Sequence, residues 1–289
     1  MKEFTITAND GLEISAALFE CESPKAAVQI IHGAKEHKER YYDLCEFLAA
    51  NGYAVIVTDN RGHGASVNDD YPLGHFDSVD AVIDDQYTVT QYIKSLYPDK
   101  KLYMYGHSLG SLFARIYLAK HDDEIEKLLL TGTVLPVPAA SAGAKICGVS
   151  EKLWGKKLAK GVANKIANSD NDKWVCKNPS TMIVYRKDPL VKGCIYTNAA
   201  VRALVEAAAA ITDFDRFEFK NPSLRIFSAT GSEDPCTGGS LGLKASLDAL
   251  YQIGYTCMKT KVYPGMKHEV INERGNAEVY NDILDFFDK

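Results

Sequence analysis

The stretch Lys101-Leu102-Tyr103-Met104-Tyr105-Gly106-His107-Ser108-Leu109-Gly110 decides how this chain is read. Residues 101–105 have strand character, and residues 109–120 keep helical apolar spacing. A G-x-S-x-G pentapeptide therefore lies where a strand runs directly into a helix. Small neighbours at 106 and 110 permit a turn sharp enough to present the Ser108 hydroxyl at the helix N-terminus, as an exposed nucleophile requires. A tight structural turn without chemistry is the alternative, and the strand-turn-helix setting argues against it.

Working outward, the same alternation recurs. Residues 26–31, 53–58 and 125–131 are nearly continuous apolar runs, the pattern of strands buried on both faces of a parallel sheet. Helical periodicity lies between them, at 41–48 before Asn51-Gly52 and at 78–96 before Pro98. The first residues differ. Phe4, Ile6 and Ala8 alternate, Asn9-Asp10-Gly11 signals a turn, and Leu12, Ile14, Ala16 and Leu18 alternate again, predicting an antiparallel hairpin. The βα alternation stops near Val134 and resumes near Ser223, with a strand, a helix over 241–253, a strand over 256–263 and a closing helix over 277–287. The expected fold class is α/β, an open, mostly parallel sheet wrapped by helices. Its core comprises 1–133 and 217–289, with a helical cap inserted over 134–216. An insertion of that length must carry its own helices.

Composition is compatible with this reading. The 289 residues are 46% apolar and 25% charged with a formal net charge of -5, which excludes collagen-like, disordered and coiled-coil classes. No window suits a membrane span, and the N-terminus lacks a signal-peptide pattern, so the expected location is cytoplasmic. The seven cysteines are widely spaced with no C-x-x-C pair, which predicts free thiols and no metal. An acidic chain without a basic tract predicts no nucleic-acid partner.

A serine nucleophile needs a base oriented by a third group. His268 follows the last strand, on a loop at the sheet edge that also carries Ser108. Asp234, in Gly231-Ser232-Glu233-Asp234-Pro235, follows the preceding strand. Ser108, Asp234, His268 is the chain order this architecture uses. Glu233 is the nearest rival for Asp234 and Glu269 a third. His107 is expected to point away from the hydroxyl, and His63, in the tight loop 59–66, to support the site. The oxyanion that develops during acyl transfer needs donors. The N–H of Leu109 and that of Ala34, in His32-Gly33-Ala34-Lys35, are the candidates.

Taken together, His32-Gly33-Ala34-Lys35-Glu36-His37 with Arg40-Tyr41, the loop 59–66, Gly106 to Gly110, Asp234 and His268 resemble the α/β-hydrolase superfamily. The resemblance is to its monoglyceride lipase and lysophospholipase branch, grouped with serine aminopeptidase-like hydrolases. Asp188-Pro189-Leu190 also resembles a cap segment of that branch. The resemblance implies eight strands, a helical cap over an acyl pocket, no cofactor, and hydrolysis of carboxylic esters by the same triad and donors. The expected substrate is a small-molecule acyl ester: a monoacylglycerol, a lysophospholipid or something smaller. A peptidase and a non-enzymatic binding module are the rivals. Lys35 replaces the second glycine of the family's H-G-x-G-E-H, which alters the head-group contacts. Gly33, Lys35, Met182 and Tyr185 are the candidate substrate-binding residues.

The cap differs in charge from the rest. It holds 13 basic and 7 acidic residues, a net +6 against -11 for the remainder. Ile146, Val149, Leu153, Leu158, Val162 and Ile166, interleaved with lysines, predict one amphipathic basic helix. Such a helix suits either an anionic membrane surface, contacted transiently, or a lid packed on the body; the packed lid is the favoured reading. Met182 to Tyr185 could line the acyl channel or form the cap's own core.

Overall fold

In the computed structural model, which describes every residue but Pro138, the N-terminal alternation forms β1 (Lys2–Thr7) and β2 (Glu13–Phe19), paired antiparallel. The continuous apolar runs become β3 (Ala26–Ile31), β4 (Tyr53–Thr58), β5 (Leu102–His107) and β6 (Lys127–Thr131), buried along their whole length. With β7 (Arg225–Gly231) and β8 (Met258–Tyr263), eight strands among the described residues form one sheet. Its order is β1-β2-β4-β3-β5-β6-β7-β8, parallel from β4 onward.

Helices cover both faces because successive strand residues point to opposite sides. Val28 and Ile30 of β3 face α1 (Tyr42–Ala50) and α10 (Ala277–Asp288), which bury Leu44, Leu48, Ile283 and Phe287. Ala27 and Ile31 face the opposite core with α2 (Val79–Leu96) and α3 (Leu109–His121). Each fully buried Val, Leu, Ile or Phe contributes about 1.5–3 kcal/mol of transfer free energy. The helix boundaries follow local chemistry: Ser78 caps α2 by accepting from the Ala81 N–H at 3.1 Å, and α2 ends just before Tyr97-Pro98.

Between β6 and β7 lie α4 (Ala140–Trp154), α5 (Val162–Ala167), α6 (Pro179–Lys187), α7 (Pro189–Lys192) and α8 (Asn198–Ala210). After β7 comes α9 (Gly239–Ile253). Alanines 199, 200, 203, 207 and 210 of α8 are buried, and this narrow face lets α8 pack closely between α4 and the body. The basic helix expected over 146–166 is two helices. Gly155 (φ 86°) ends α4 and Gly161 (φ 104°) precedes α5, backbone conformations that propagate no right-handed helix. Its apolar residues do not pack on the body either: Ile146, Leu153, Val162 and Ile166 are 68–76% exposed. The inward side of α4 is taken by small residues, Ala140 and Cys147.

Candidate active site

The parallel register brings four strand ends to one edge. Ile31 of β3 pairs with Gly106 of β5, and Gly231 of β7 with Tyr263 of β8. The loops leaving these ends carry Ala34, Ser108, Asp234 and His268, in the crevice beyond the carboxyl ends where open α/β sheets bind ligands. Ser108 sits at φ 53°, ψ -117°, a strained conformation for a residue with a side chain. It is pinned by its N–H to Thr131 O (3.0 Å) and its carbonyl to Ser111 N (2.8 Å). The flanking glycines are sterically required. A Cβ on Gly106 would lie 2.4 Å from Gly110 O, and one on Gly110 would lie 2.1 Å from Ile31 O.

Asp234 Oδ1 accepts from His268 Nδ1 (2.9 Å) and from the Cys236 N–H (2.8 Å), while Oδ2 accepts from Thr237 Oγ1 (2.9 Å). Both side chains are buried. Burial opposes the charged form of each, yet their mutual hydrogen bond and attraction prevail: the Asp234 carboxyl is held below its ordinary range and the His268 pKa is pushed up to about 10. In the neutral ring, with Nδ1–H directed at Asp234, Nε2 carries the free lone pair, and it has no partner among the described residues. The ring is flanked by His107 at 4.7 Å and Trp174 at 4.8 Å between centroids. His107 is bound through Nδ1 to Thr131 Oγ1 (2.9 Å), and burial lowers its pKa to about 3, so it stays neutral. Glu233 faces outward to Lys177 (2.7 Å), and Glu269 is bound by Arg40; neither touches His268 Nδ1.

Arg40 and Glu36 join the site through contacts that no local pattern signals. Glu36 Oε1 accepts from the Gly33 N–H (2.5 Å) and Tyr41 Oη (2.8 Å), and Oε2 from Arg40 Nε (3.1 Å). Arg40 Nη2 donates to Glu269 (2.6 Å), the residue after His268, and the guanidinium lies over the Tyr185 ring at 4.8 Å. One arginine thus ties the Gly33-Ala34 loop to the His268 loop and to the cap. The motif letters Glu36 and Arg40-Tyr41 were the only signal, because the partner Glu269 lies 229 residues away. Arg40→Met is expected to cost about 3–5 kcal/mol in a urea-unfolding comparison, since it strands two buried carboxylates. A loss below about 1 kcal/mol, the range of exposed pairs, would deny the clamp.

The Ala34 and Leu109 amides have no hydrogen-bond partner among the described residues and are free to donate. Lys35, at φ 55°, gives its N–H to Tyr196 Oη (2.9 Å), which also meets His63 Nε2 (2.8 Å). His63 is buried and neutral, its pKa lowered to about 3 by burial, so it supports the loop. His37 Nε2 bonds Asp188 Oδ2 (2.7 Å), joining the same loop to the cap segment Asp188-Pro189.

A cavity of about 320 Å³ opens over Ser108 and His268, walled by Ala34, Lys35, Trp174 and Tyr185 among others. Two candidates for substrate contact are placed elsewhere. Met182 packs with Val175 and Cys176 in a small cap core, because α6 turns that side away from the opening while Tyr185 enters it. Gly33 lies beneath Ser108, held by Glu36. Among the described residues, Asp234, Cys236 and His268 alone are near enough together to hold a metal ion, and Asp234 and His268 are already joined to each other.

An elbow serine, a buried Asp-His pair and this sheet define an α/β-hydrolase. The profile of the serine aminopeptidase, S33, family matches residues 22–275, and the chain belongs to that family. It is 26% identical over 272 residues to a monoacylglycerol lipase of Mycolicibacterium smegmatis, covering 90% of this chain and 87% of the relative. Among solved structures, a thermostable carboxyl esterase from Bacillus coagulans in complex with glycerol superposes with a TM-score of 0.87 at 26% identity, over 99% of this chain and 97% of that one. A soluble variant of the monoglyceride lipase from Saccharomyces cerevisiae, at 18% identity and TM-score 0.75, covers 99% of this chain and 94% of its own and shares the fold. The chain is a carboxylic ester hydrolase.

Proposed function

We propose that the chain hydrolyses single-chain acyl esters, a monoacylglycerol, a lysophospholipid or a smaller ester, through an acyl-enzyme on Ser108. The observation that carries this reading is the buried Asp234–His268 pair whose unpartnered Nε2 shares one cavity with Ser108. Ser108 Oγ attacks the ester carbonyl as His268 Nε2 takes its proton. Asp234 holds the ring and stabilises the imidazolium, and the N–H groups of Ala34 and Leu109 receive the oxyanion. Collapse expels the alcohol, protonated by His268; water then repeats the sequence on the acyl-enzyme. The name of the mycobacterial relative supports the lipid-ester assignment.

A peptidase cleaving after a free amino terminus would need a sequestered, uncommitted carboxylate for the amine; Glu36 and Glu269 are bound to Arg40 and Asp172 to Arg186, and the remaining cavity acid, Asp170, is almost fully exposed to solvent. A chain-length series of p-nitrophenyl and monoacylglycerol esters beside aminoacyl p-nitroanilides tests the choice. Ester hydrolysis with little amide cleavage is expected; a preference for the amides overturns the reading.

The outward apolar residues of α4 and α5, set among exposed lysines, support a transient contact with an anionic lipid surface. No helix among the described residues is long and apolar enough to cross a membrane. Replacing Ile146, Val149 and Leu153 together by Glu is expected to weaken sedimentation with anionic vesicles by roughly 10-fold or more, through lost apolar burial and added repulsion. Unchanged sedimentation would remove this role from the cap.

A further inference from the structure

Three of the four acids that line the cavity are answered by arginines of the chain. Glu36 and Glu269 share Arg40, and Asp172 takes two hydrogen bonds from Arg186 (2.7 and 3.0 Å). The two lysines in the wall, Lys35 and Lys192, have no partner and a distant one respectively among the described residues. Lys35 Nζ has neither a hydrogen bond nor an ion pair among the described residues, although its side chain lines the cavity that holds Ser108 and is half-buried there. Lys192, also in the wall, finds its nearest carboxylate at 3.9 Å, on Asp170, whose side chain is almost fully exposed. An ammonium withdrawn from water without a counter-charge is costly, and burial accordingly holds the Lys35 pKa below its ordinary range.

The backbone adds an independent observation. Lys35 occupies a left-handed position, φ 55°, where glycine would sit without strain and where a side chain costs about 1–2 kcal/mol. Strain of this kind, beside a nucleophile, points to a use for the side chain. Its N–H bond to Tyr196 Oη fixes the stem next to Ala34 and thus next to the expected oxyanion position. Trp174, Val175, Val191 and Leu204 give the wall an apolar side that suits an acyl chain, beside a polar stretch over residues 169–172.

We propose that Lys35, backed by Lys192, forms an anion subsite, and that the preferred substrates are esters carrying a compact anionic group, a phosphate or a carboxylate, close to the scissile bond. The inference rests on the ester-hydrolase reading above and names the substrate class of that site. The anion completes the ammonium's missing charge-assisted hydrogen bond while the ester carbonyl meets Ser108.

Two matched pairs test it: 1-decanoylglycerol against its 3-phosphate, with the anion on the alcohol side, and p-nitrophenyl valerate against p-nitrophenyl hemiglutarate, with the anion on the acyl side. The wild type is expected to favour the anionic member of one pair, which identifies the side, and to lose that preference as salt is raised to about 0.5 M. Lys35→Met should lower the anionic-to-neutral ratio of kcat/KM in that pair by about 10-fold, with Lys35→Arg keeping it. A ratio taken within one preparation is unaffected by a partly misfolded fraction. If both ratios change by less than about twofold in Lys35→Met while the neutral esters are cleaved, the subsite is refuted and the esterase reading stands. If the wild type cleaves neither neutral ester nor its anionic partner, the esterase reading itself fails and the subsite with it.

Discussion

Ser108→Ala is expected to lower kcat on p-nitrophenyl butyrate by about 10⁴- to 10⁶-fold and to abolish labelling by a fluorophosphonate probe. The magnitude follows from what the substitution removes and what it leaves. Without Oγ there is no acyl-enzyme, so hydrolysis must proceed by direct attack of water in a site shaped for another nucleophile. The donors at Ala34 and Leu109 and the binding cavity persist, and they account for a residual rate above that in water. The fold should persist as well. Alanine fits the space of serine, and the contacts that pin the elbow are made by the Ser108 backbone and by Gly106 and Gly110. An equally active alanine variant would remove Ser108 from the chemistry.

Asp234→Asn is expected to cost about 10⁴-fold in kcat at neutral pH. A carboxamide can present its NH₂ to His268 Nδ1, which then accepts and moves the ring proton to Nε2, where it blocks uptake of the Ser108 proton. The pH profile separates this from mere misfolding. In the wild type kcat/KM should rise with pH as His268 loses its proton, with the limb above 6.5, since the Asp234 hydrogen bond and charge raise that pKa. Removing the Asp234 charge and hydrogen bond leaves burial, which lowers it, opposed only by Cys236, so the limb in the variant must move toward acid. A limb that stays in place while the rate falls would show that another group is titrating, and His268 would lose its role as base.

Much of the proposed catalytic apparatus has a signature in local pattern. The strand entering Gly106 and the helix leaving Ser108 lie within residues 101–121, and Asp234 and His268 each follow a strand of the parallel series. What escaped was long-range polar pairing. Glu36, Arg40 and Glu269 are each ordinary charged residues in sequence, and they become one buried network only when the loops after β3 and β8 meet. Likewise Tyr196, from the insertion, holds both Lys35 and His63 in the body.

The cap was the least legible part for a physical reason. Its apolar residues keep helical spacing, but periodicity states only that one face is distinct, not which neighbour covers it. Gly155 and Gly161 break the expected single helix, and the tertiary arrangement turns its apolar side outward because α8 offers small alanines to α4 and nothing covers Ile146 or Leu153 among the described residues. Met182 and Tyr185, three residues apart on α6, go to a cap core and to the cavity respectively.

The amino-acid sequence by itself determined the sheet, its helices and the order of the proposed reacting residues, since burial on both strand faces and steric demand at the elbow are written in neighbouring residues. The tertiary structure alone decided which charges are paired. Arg40 neutralises two carboxylates and Lys35 is left with none, because an ion pair depends on distances between side chains that the chain brings together only on folding.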